Sequence, residues 1–286
     1  MKPSLLYMIS EKMSAMSKGQ RQIASFLLEH YDRAAYMTAA KLGEECGVSE
    51  STVVRFADEI GFSGYPELQN ALRELTKTKL TAAGRLEVTE NVFGRAEILD
   101  RVLLGDAEKI RRTLEGLDRA AFGSAVERIA AARKVYILGS RSSSILAGFL
   151  NFNLRMMFDN VHNIELSSGG EIFEQILDIG EGDVLIAISF PRYSKRTVRA
   201  VQYAHRAGCN VVALTDSEAS PIAGESDQLL LAKSDMASFV DSLVAPLSIA
   251  DALVAALSMC RREEVLSRLR RLEEIWDEYD IYDKNN

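Results

Sequence analysis

The chain has few of the residues that build metal centres and disulfide-linked folds. It contains three cysteines and three histidines in 286 residues, and none of them lies at the spacing of a metal motif. An odd number of scattered cysteines forms no disulfide framework, which is typical of a protein in a reducing cytoplasm. We therefore expect a cytoplasmic protein without a bound metal.

Long apolar runs are also absent. No run reaches the roughly 18–20 residues that a membrane-spanning helix needs. The amphipathic N-terminus lacks the apolar stretch and the small-residue cleavage site of a signal peptide. With 47% hydrophobic and 26% charged residues, the composition is that of a globular protein, and the length predicts one large or two ordinary domains.

An excess of positive charge is missing as well. The net charge is −7, and residues 1–78 hold nine Lys and Arg against ten Asp and Glu. This balance argues against nonspecific binding of polyanions by the whole chain. Any contact with DNA must depend on a local patch.

A helix-turn-helix pattern lies within residues 37–62. Thr38 is suited to cap a short helix that ends at Gly47, and Ser49 is suited to cap a second helix over Glu50–Ile60. Two short helices joined by a glycine-containing turn form the helix-turn-helix unit. Upstream, helical spacing covers residues 4–16, with Ser4 as a cap, and Lys18–Tyr31.

The second helix of such a unit enters the major groove of DNA, and its first residues reach the bases. Arg55 is suited to contact guanine or phosphate, although an ion pair with Glu59 one turn later is an equally ordinary role. Lys18 and Arg21 are further cations at a helix start. The predicted DNA-contacting residues are Lys41, Ser49, Glu50, Ser51, Thr52 and Arg55.

The remaining chain predicts a second domain of a different class. Gly64–Pro66 interrupts a helical pattern that resumes over Glu67–Leu80, and periodicity is weak in residues 76–95. We predict a DNA-binding domain over 1–78, a linker over 79–100 and a ligand-binding and oligomerisation domain over 101–286. Helices are expected at Ile98–Leu117 and Arg119–Ala131.

From Lys134 onward, short β-rich apolar runs alternate with helical segments. This alternation predicts an α/β domain with a five-stranded, mainly parallel sheet that is flanked by helices and follows an all-α domain. The predicted strands are Val135–Leu138, Val161–Leu166, Val184–Ile188, Val211–Thr215 and Gln228–Ala232. The predicted intervening helices are Ser144–Phe158, Glu171–Ile179, Thr197–Ala207 and the short Pro221–Ala223. After Ser238 the chain is expected to be helical to Tyr279, with Phe239–Cys260 buried in the domain or in a subunit interface.

Hydroxyl-rich turns follow two of these strands. The turn Gly139–Ser144 has neither the glycines of a dinucleotide fingerprint nor the lysine of a P-loop, so no cofactor is predicted. Ser189 and Ser194 lie in the second turn, with cations beside them. Ligands of open α/β sheets bind beyond the carboxyl ends of strands, where helix N-termini favour anions. The pattern favours a small-anion sensor, although serines at helix starts often act only as caps.

No catalytic apparatus stands out in the sequence. An aldose–ketose isomerase needs a base that moves a proton between carbons, and Glu165 and Glu171 are the only obvious candidates. Both are equally suited to helix capping or solvent exposure. We therefore predict no catalytic residues and no enzymatic activity.

The segment Gly47–Gln69, GVSESTVVRFADEIGFSGYPELQ, resembles the signature of the RpiR family of bacterial transcription regulators. The strand–turn–helix pairs resemble the SIS (sugar isomerase) domain that follows it in that family. The resemblance implies a dimeric or tetrameric regulator whose SIS domain binds a phosphosugar or related metabolite and alters operator binding. By this resemblance, Ser143, Ser189 and Ser194 match the phosphate-binding hydroxyls of the two turns.

The chain departs from the family pattern in both turns. Arg141 and Arg192 replace glycines, and Pro191 replaces a hydroxyl residue. Either the two guanidinium groups clamp a highly charged anion, or they fill the phosphate space and pair with carboxylates. The predicted ligand-binding residues are Ser140, Arg141, Ser142, Ser143, Ser189, Arg192, Ser194 and Lys195.

The sequence therefore predicts a cytoplasmic regulator whose partners are operator DNA, a small anionic metabolite and further copies of itself. Two alternatives remain open. One is a SIS-type sugar-phosphate isomerase or lyase, and the other is a regulator whose SIS domain only dimerises.

Overall fold

The structure, a computed structural model, describes residues 5–79, 83, 86, 98–165, 171–235 and 240–282. It divides into two compact units, one of residues 1–103 with 236–241 and one of residues 104–235 with 242–286. Ser4 and most of the predicted linker lie outside the described residues. The predicted domain boundaries therefore stay predictions.

The first unit is helical, as the sequence predicts. Its buried core includes Leu27, Leu42, Phe56, Ile60 and Leu72, which the helical spacing places on facing sides. The helices are α1 (Leu5–Lys12), α2 (Lys18–Ala34), α3 (Ala39–Cys46), α4 (Glu50–Ile60) and α5 (Tyr65–Lys79), and α6 (Ile98–Gly116) begins in this unit.

Three helix boundaries in this unit differ from the sequence prediction. Helix α2 continues to Ala34, beyond the predicted end at Tyr31. The first helix ends at Lys12 and continues as a 3₁₀ turn over Met13–Ala15. Helix α5 begins at Tyr65, although Gly64–Pro66 was expected to interrupt the helix. Pro66 is tolerated because the N–H groups of a first helical turn have no partner within the helix.

The second unit contains the predicted five-stranded sheet. All four pairings between described strands are parallel, and the strand order is β2-β1-β3-β4-β5. The strands are β1 (Val135–Gly139), β2 (Val161–Asn163), β3 (Val184–Ile188), β4 (Asn210–Thr215) and β5 (Gln228–Leu231). The helices that follow α6 are α7 (Arg119–Ala131), α8 (Ser143–Met157), α9 (Glu171–Gln175), α10 (Lys195–Arg206), α11 (Val244–Cys260) and α12 (Arg262–Glu278).

Apolar side chains cover both faces of the sheet. One core contains β1 residues such as Ile137 together with Leu150 of α8 and Leu253 of α11. The opposite core contains Leu185 of β3 with Val201 of α10. Because both faces are buried, strands β1 and β3 are apolar at consecutive positions, which explains their continuous Val, Ile and Leu runs.

Several predicted elements are shorter in the structure or displaced along the chain. Strand β2 stops at Asn163, and the short helix predicted at Pro221–Ala223 is a 3₁₀ turn over Ala223–Glu225. Helix α9 stops at Gln175. Strand β2 lies at the edge of the sheet, where pairing with one neighbour supports only a short strand. Residues 166–170, which include the predicted end of β2, lie outside the described residues.

The predicted helical segment after Ser238 begins only at Val244, since the described residues 240–243 are not helical, and it consists of two helices that part at Arg261. Helix α11 is only partly buried, since Leu253 is inaccessible whereas the Met259 side chain is 72% exposed. Among the described helices, none is by itself long and apolar enough to cross a membrane. Helices α11 and α12 together meet that length and composition test, but they are bent by 102°.

Candidate DNA-binding and anion-binding sites

The start of α4 is organised by Ser49. Its hydroxyl accepts a hydrogen bond from the Thr52 backbone N–H at 3.3 Å, as the predicted N-cap requires. The same hydroxyl contacts the side-chain hydroxyls of Ser51 and Thr52 at 2.9 and 2.8 Å. The first turn of α4 therefore presents an ordered set of hydroxyls.

The turn between α3 and α4 depends on two glycines. Gly47 ends α3 with a φ of 65°, a left-handed conformation that side chains disfavour. A Cβ atom at Gly43 would lie 2.8 Å from the Val48 carbonyl oxygen, so only glycine permits this close approach. With Phe56 and Ile60 buried on the inner face of α4, its polar face is directed to solvent.

Arg55 is exposed on that polar face and forms no hydrogen bond or ion pair with any described residue. The alternative pairing with Glu59 is not observed, and the Glu59 carboxylate instead accepts a hydrogen bond from the Gln20 side chain. Glu50 and Ser51 are exposed beside Arg55, and Thr52 is half-buried. The helix thus carries one unpaired cation among short polar side chains.

Lys41 differs from Arg55 in this respect. Its ammonium lies 3.1 Å from the Glu44 carboxylate and 3.9 Å from that of Glu45. The hydrogen bond to Glu44 raises the pKa of Lys41. A phosphate contact by Lys41 would have to displace these carboxylates.

Helix α2 begins beside α4. Ser17 and Gln20 form a reciprocal capping box at its first turn. A Cβ atom at Gly19 would lie 3.3 Å from the Val48 side chain and 3.5 Å from that of Thr52. The exposed cations Lys18 and Arg21 therefore lie on the turn that contacts the start of α4.

In the second unit, the first hydroxyl-rich turn connects β1 to α8 through a close backbone approach. A Cβ atom at Gly139 would lie only 2.3 Å from the Ser143 carbonyl oxygen. Arg141 has a φ of 55°, which places an arginine in the left-handed region that favours glycine. Ser142 precedes the helix without a side-chain capping bond, and Ser143 is buried. The exposed positions of the turn are Arg141, Ser142 and Ser144.

The second hydroxyl-rich turn connects β3 to α10. Ser189 is buried and its backbone N–H donates to the Leu214 carbonyl at 3.1 Å. Ser194 caps α10, with its hydroxyl accepting from the Thr197 N–H at 3.4 Å. Arg192 and Lys195 are exposed on either side of this cap.

A direct hydrogen bond joins the two turns. The hydroxyls of Ser140 and Thr197 lie 2.7 Å apart, although 57 positions separate them in the chain. Strands β1 and β3 are neighbours, so their carboxyl ends meet at one edge of the sheet. Thr197 is inaccessible to solvent and was not among the predicted site residues. Its signal in the sequence is a hydroxyl three residues after a helix cap.

The cations of the two turns are not paired with carboxylates in the part of the chain that the structure describes. Arg141, Arg192, Lys195 and Arg196 are all exposed, and none of them has an ion-pair partner there. The alternative in which the arginines pair with Asp or Glu is therefore not observed among those residues. Exposed cations without a carboxylate partner among the described residues are suited to binding a small anion.

Two further residues hold the second turn in place. The Tyr193 hydroxyl donates to an Asp216 carboxylate oxygen at 2.8 Å. Asp216 follows Thr215 at the end of β4, and the Thr215 hydroxyl donates to the Ser189 carbonyl at 2.7 Å. Sequence analysis missed this support, because the spacing of 23 residues between Tyr193 and Asp216 carries no local pattern.

Of the two candidate bases, only the Glu165 side chain is described, and it shows no catalytic arrangement with other described residues. The Glu165 side chain is exposed, and its backbone exchanges two hydrogen bonds of 2.9 Å with the Gln175 side chain. Glu171 is the first residue of α9, and the loop Ser167–Gly170 lies outside the described residues. Over the described ranges, no three His, Cys, Asp or Glu side chains group as metal ligands.

Comparison with known proteins assigns both parts of the chain. The model of the helix-turn-helix domain of the rpiR family matches residues 4–79, and the SIS domain model matches residues 128–256. The transcriptional regulator HexR of Pseudomonas aeruginosa is 26% identical over 286 residues, which cover 95% of each chain.

Two solved structures are similar in fold. NanR of Vibrio vulnificus, complexed with ManNAc-6P, is 23% identical and covers 96% of this chain and 98% of its own, with a TM-score of 0.59. The sugar isomerase domain of an RpiR transcription factor from Sphaerobacter thermophilus is 28% identical. It covers 62% of this chain and 99% of its own, with a TM-score of 0.58.

Proposed function

The chain belongs to the RpiR family of transcription regulators, and on that premise we propose that its SIS domain senses a phosphorylated sugar or a related anionic metabolite. Binding of this effector changes the affinity of the helix-turn-helix domain for operator DNA. The regulator acts in the cytoplasm and catalyses no reaction of its own.

The observation that supports the sensor site is the meeting of the two turns. The Ser140 and Thr197 hydroxyls are in contact, and exposed arginines flank them at positions 141 and 192. Hydroxyls and guanidinium groups at helix N-termini are the groups that bind a phosphate dianion. The NanR protein is complexed with ManNAc-6P, which supports a phosphosugar as the class of effector.

The DNA-binding role rests on the exposed face of α4. Arg55 is available for a base or a phosphate, and Ser51 and Thr52 are short enough to let the helix approach DNA closely. Lys18 and Arg21 lie on the adjoining turn and are suited to phosphate contacts.

We propose a homodimer or a homotetramer as the working form. Two heads are needed for a palindromic operator, and the effector acts by binding one arrangement of the subunits more tightly than another. Exposed apolar side chains on α8, Ile145 and Phe152, are suited to a contact between subunits.

The first test is DNA binding by the full-length protein. A site selected from random DNA by the wild type is titrated with wild type, Arg55→Ala and Arg128→Ala, an exposed arginine of the second unit that serves as control. Loss of a base contact weakens binding by about 1–3 kcal/mol. Arg55→Ala is expected to show this loss and Arg128→Ala is not. Equal affinity of all three proteins contradicts the role of Arg55.

The second test is a thermal-shift screen with sugar phosphates on wild type and Arg192→Ala. A ligand at 100 times its dissociation constant adds about 2.7 kcal/mol of stability. If the site is a sensor, an effector is expected to raise the melting temperature of the wild type but not that of Arg192→Ala. The same compound is then expected to change the affinity of the wild type for operator DNA. Turnover of such a compound supports the isomerase alternative, and operator binding that no sugar phosphate alters supports a domain that only dimerises.

A further inference from the structure

An open pocket lies on the side of α10, next to the second turn. It has a volume of about 390 Å³ and is lined by Tyr193, Lys195, Val198, Arg199, Gln202 and Pro221. We call this cavity the side pocket. Of its lining residues, only Lys195 belongs to the predicted ligand-binding set.

The chemistry of the side pocket combines apolar walls with cations. Val198, Pro221 and the ring of Tyr193 supply carbon surface, and Lys195 and Arg199 are exposed cations on consecutive turns of α10. Within the described chain, neither cation has a hydrogen-bonded or ion-paired partner. Residues four apart on a helix lie on the same face, so both charges are available to one ligand group.

The side pocket adjoins the two turns because one short segment builds both. Ser194 is the N-cap of α10 and belongs to the second turn. Its neighbours Tyr193 and Lys195 line the side pocket. Thr197, one turn further, is directed to Ser140 of the first turn, whereas its neighbour Val198 lines the side pocket. The N-terminus of α10 therefore separates two cationic positions.

A hydrogen bond to Asp216 holds Tyr193 in the wall of the side pocket. Its hydroxyl donates to Asp216 at 2.8 Å, which fixes the ring between the second turn and the end of β4. The carboxylate is thereby engaged by a hydroxyl group. The wall of the side pocket is pre-organised, which lowers the entropic cost of binding.

From this arrangement we propose that the effector carries two anionic groups, with its phosphate in the two turns and its second anion in the side pocket between Lys195 and Arg199. This inference rests on the proposed function, because it extends the same sensor site. Under this proposal, Arg199 is a specificity-determining residue. It selects a phosphorylated sugar acid or a sugar bisphosphate over a sugar monophosphate that has no second anionic group.

The test is isothermal titration calorimetry of the full-length protein with three probes of graded charge. These are glucose 6-phosphate, 6-phosphogluconate and fructose 1,6-bisphosphate. A charged hydrogen bond changes affinity by about 10- to 100-fold. At least one of the two probes that carry a second anionic group is expected to bind more tightly than glucose 6-phosphate by this factor, and the preferred one identifies the second anion as carboxylate or phosphate.

The decisive variant is Arg199→Gln, compared with Arg206→Gln as a matched control on the last turn of the same helix. The Arg206 side chain donates to the backbone carbonyl of Gln202 and does not line the side pocket. Arg199→Gln is expected to abolish the preference for the probe with a second anionic group and to leave the affinity for glucose 6-phosphate unchanged. Arg206→Gln is expected to retain the preference.

Other outcomes overturn the proposal in distinguishable ways. If wild type binds all three probes equally, or if Arg199→Gln weakens all three equally, the side pocket holds no second anion while the sensor site stands. If Arg192→Ala removes binding of every probe and Arg199→Gln changes none, the turns alone bind the effector. If no probe binds wild type, the sensor site fails and this inference fails with it.

Discussion

Arg141 combines a left-handed backbone with an exposed guanidinium group. Its φ of 55° is a conformation that costs a non-glycine residue about 1–2 kcal/mol. The side chain gains no compensating contact with the described residues. A strained residue whose side chain forms no hydrogen bond or ion pair with the described residues is a candidate for ligand binding, which is consistent with its place in the first turn.

Replacement of Arg141 by glycine and by alanine separates the backbone from the charge. Arg141→Gly is expected to leave the free energy of unfolding unchanged or to raise it by up to about 1 kcal/mol, because glycine adopts a positive φ without strain. Arg141→Ala retains the strain and is expected to be less stable than the glycine variant by about 1 kcal/mol. Urea unfolding measures both values.

The same pair also tests the charge. Both variants lose the guanidinium, so both are expected to bind the effector about tenfold or more weakly in calorimetric titrations. A glycine variant that binds as well as wild type would show that Arg141 takes no part in the site.

At the scale of elements, the connection from β1 to α8 is the most constrained part of the site. The backbone of Gly139 approaches Ser143 so closely that a Cβ atom would clash with a carbonyl oxygen at 2.3 Å. A backbone atom cannot move aside as a flexible side chain does. The turn that brings Ser140 to Thr197 therefore depends on glycine at the end of β1.

Gly139→Ala is expected to lower the free energy of unfolding by about 2 kcal/mol or more, because the added methyl group displaces the first turn of α8. Gly123→Ala is the matched control in α7, where no atom lies within 4 Å of the added methyl group. Alanine in an exposed helix interior is more stable than glycine by about 0.5–1 kcal/mol. If Gly139→Ala and Gly123→Ala lower the free energy of unfolding by the same amount, the clash at Gly139 is refuted.

The start of α5 gives a prediction about pH. The Glu67 carboxylate accepts hydrogen bonds from the Ser63 backbone N–H at 2.6 Å and from its hydroxyl at 2.8 Å, and these bonds lower the pKa of Glu67 from 4.5. A carboxylate whose pKa is lowered on folding stabilises the protein above its unfolded pKa. That contribution is lost as the pH falls through the lowered value.

Glu67→Gln is therefore expected to be less stable than wild type at pH 7, with a difference that shrinks as the pH falls below 4.5. Urea unfolding of both proteins between pH 7 and pH 3 measures this. A difference that is constant over the whole range would show that the ionised carboxylate is not the source of the stability.

At the scale of the whole molecule, the apolar surface of α8 bears on assembly. Ile145 and Phe152 lie seven positions apart on one face of the helix and are 65% and 68% exposed. Helix α8 begins at the first turn, so a subunit seated on this face lies beside the effector site. Under the proposed function, such a contact couples effector binding to the subunit interface.

Phe152→Glu is expected to convert the oligomer to a smaller species in sedimentation-velocity experiments and to weaken operator binding, because a charge on this face opposes burial. Leu177→Glu is the control, since Leu177 is 69% exposed and follows α9, which packs on the opposite face of the sheet. If Leu177→Glu dissociates the oligomer and Phe152→Glu does not, the interface lies elsewhere.

Local patterns predicted most of the elements because their causes are local. Thr38, Ser49 and Asp118 cap the helices that the sequence assigns to them, and α4 and α7 have the predicted bounds. Apolar runs identified the strands for the same reason, since burial on both faces requires apolar residues at every position. Predicted element boundaries were wrong where tertiary packing determines them, as at the end of the edge strand β2.

The sequence by itself determined the order of an all-helical unit and a parallel α/β unit, because capping, helical spacing and strand composition act within a few residues. It also placed hydroxyls and arginines at the ends of two strands. Only the tertiary structure decided that Ser140 meets Thr197, that Tyr193 is held by Asp216, and that Arg55 lacks a carboxylate partner among the described residues. The first two contacts join residues that lie far apart in the chain, and they depend on strand order and packing, which no local spacing encodes.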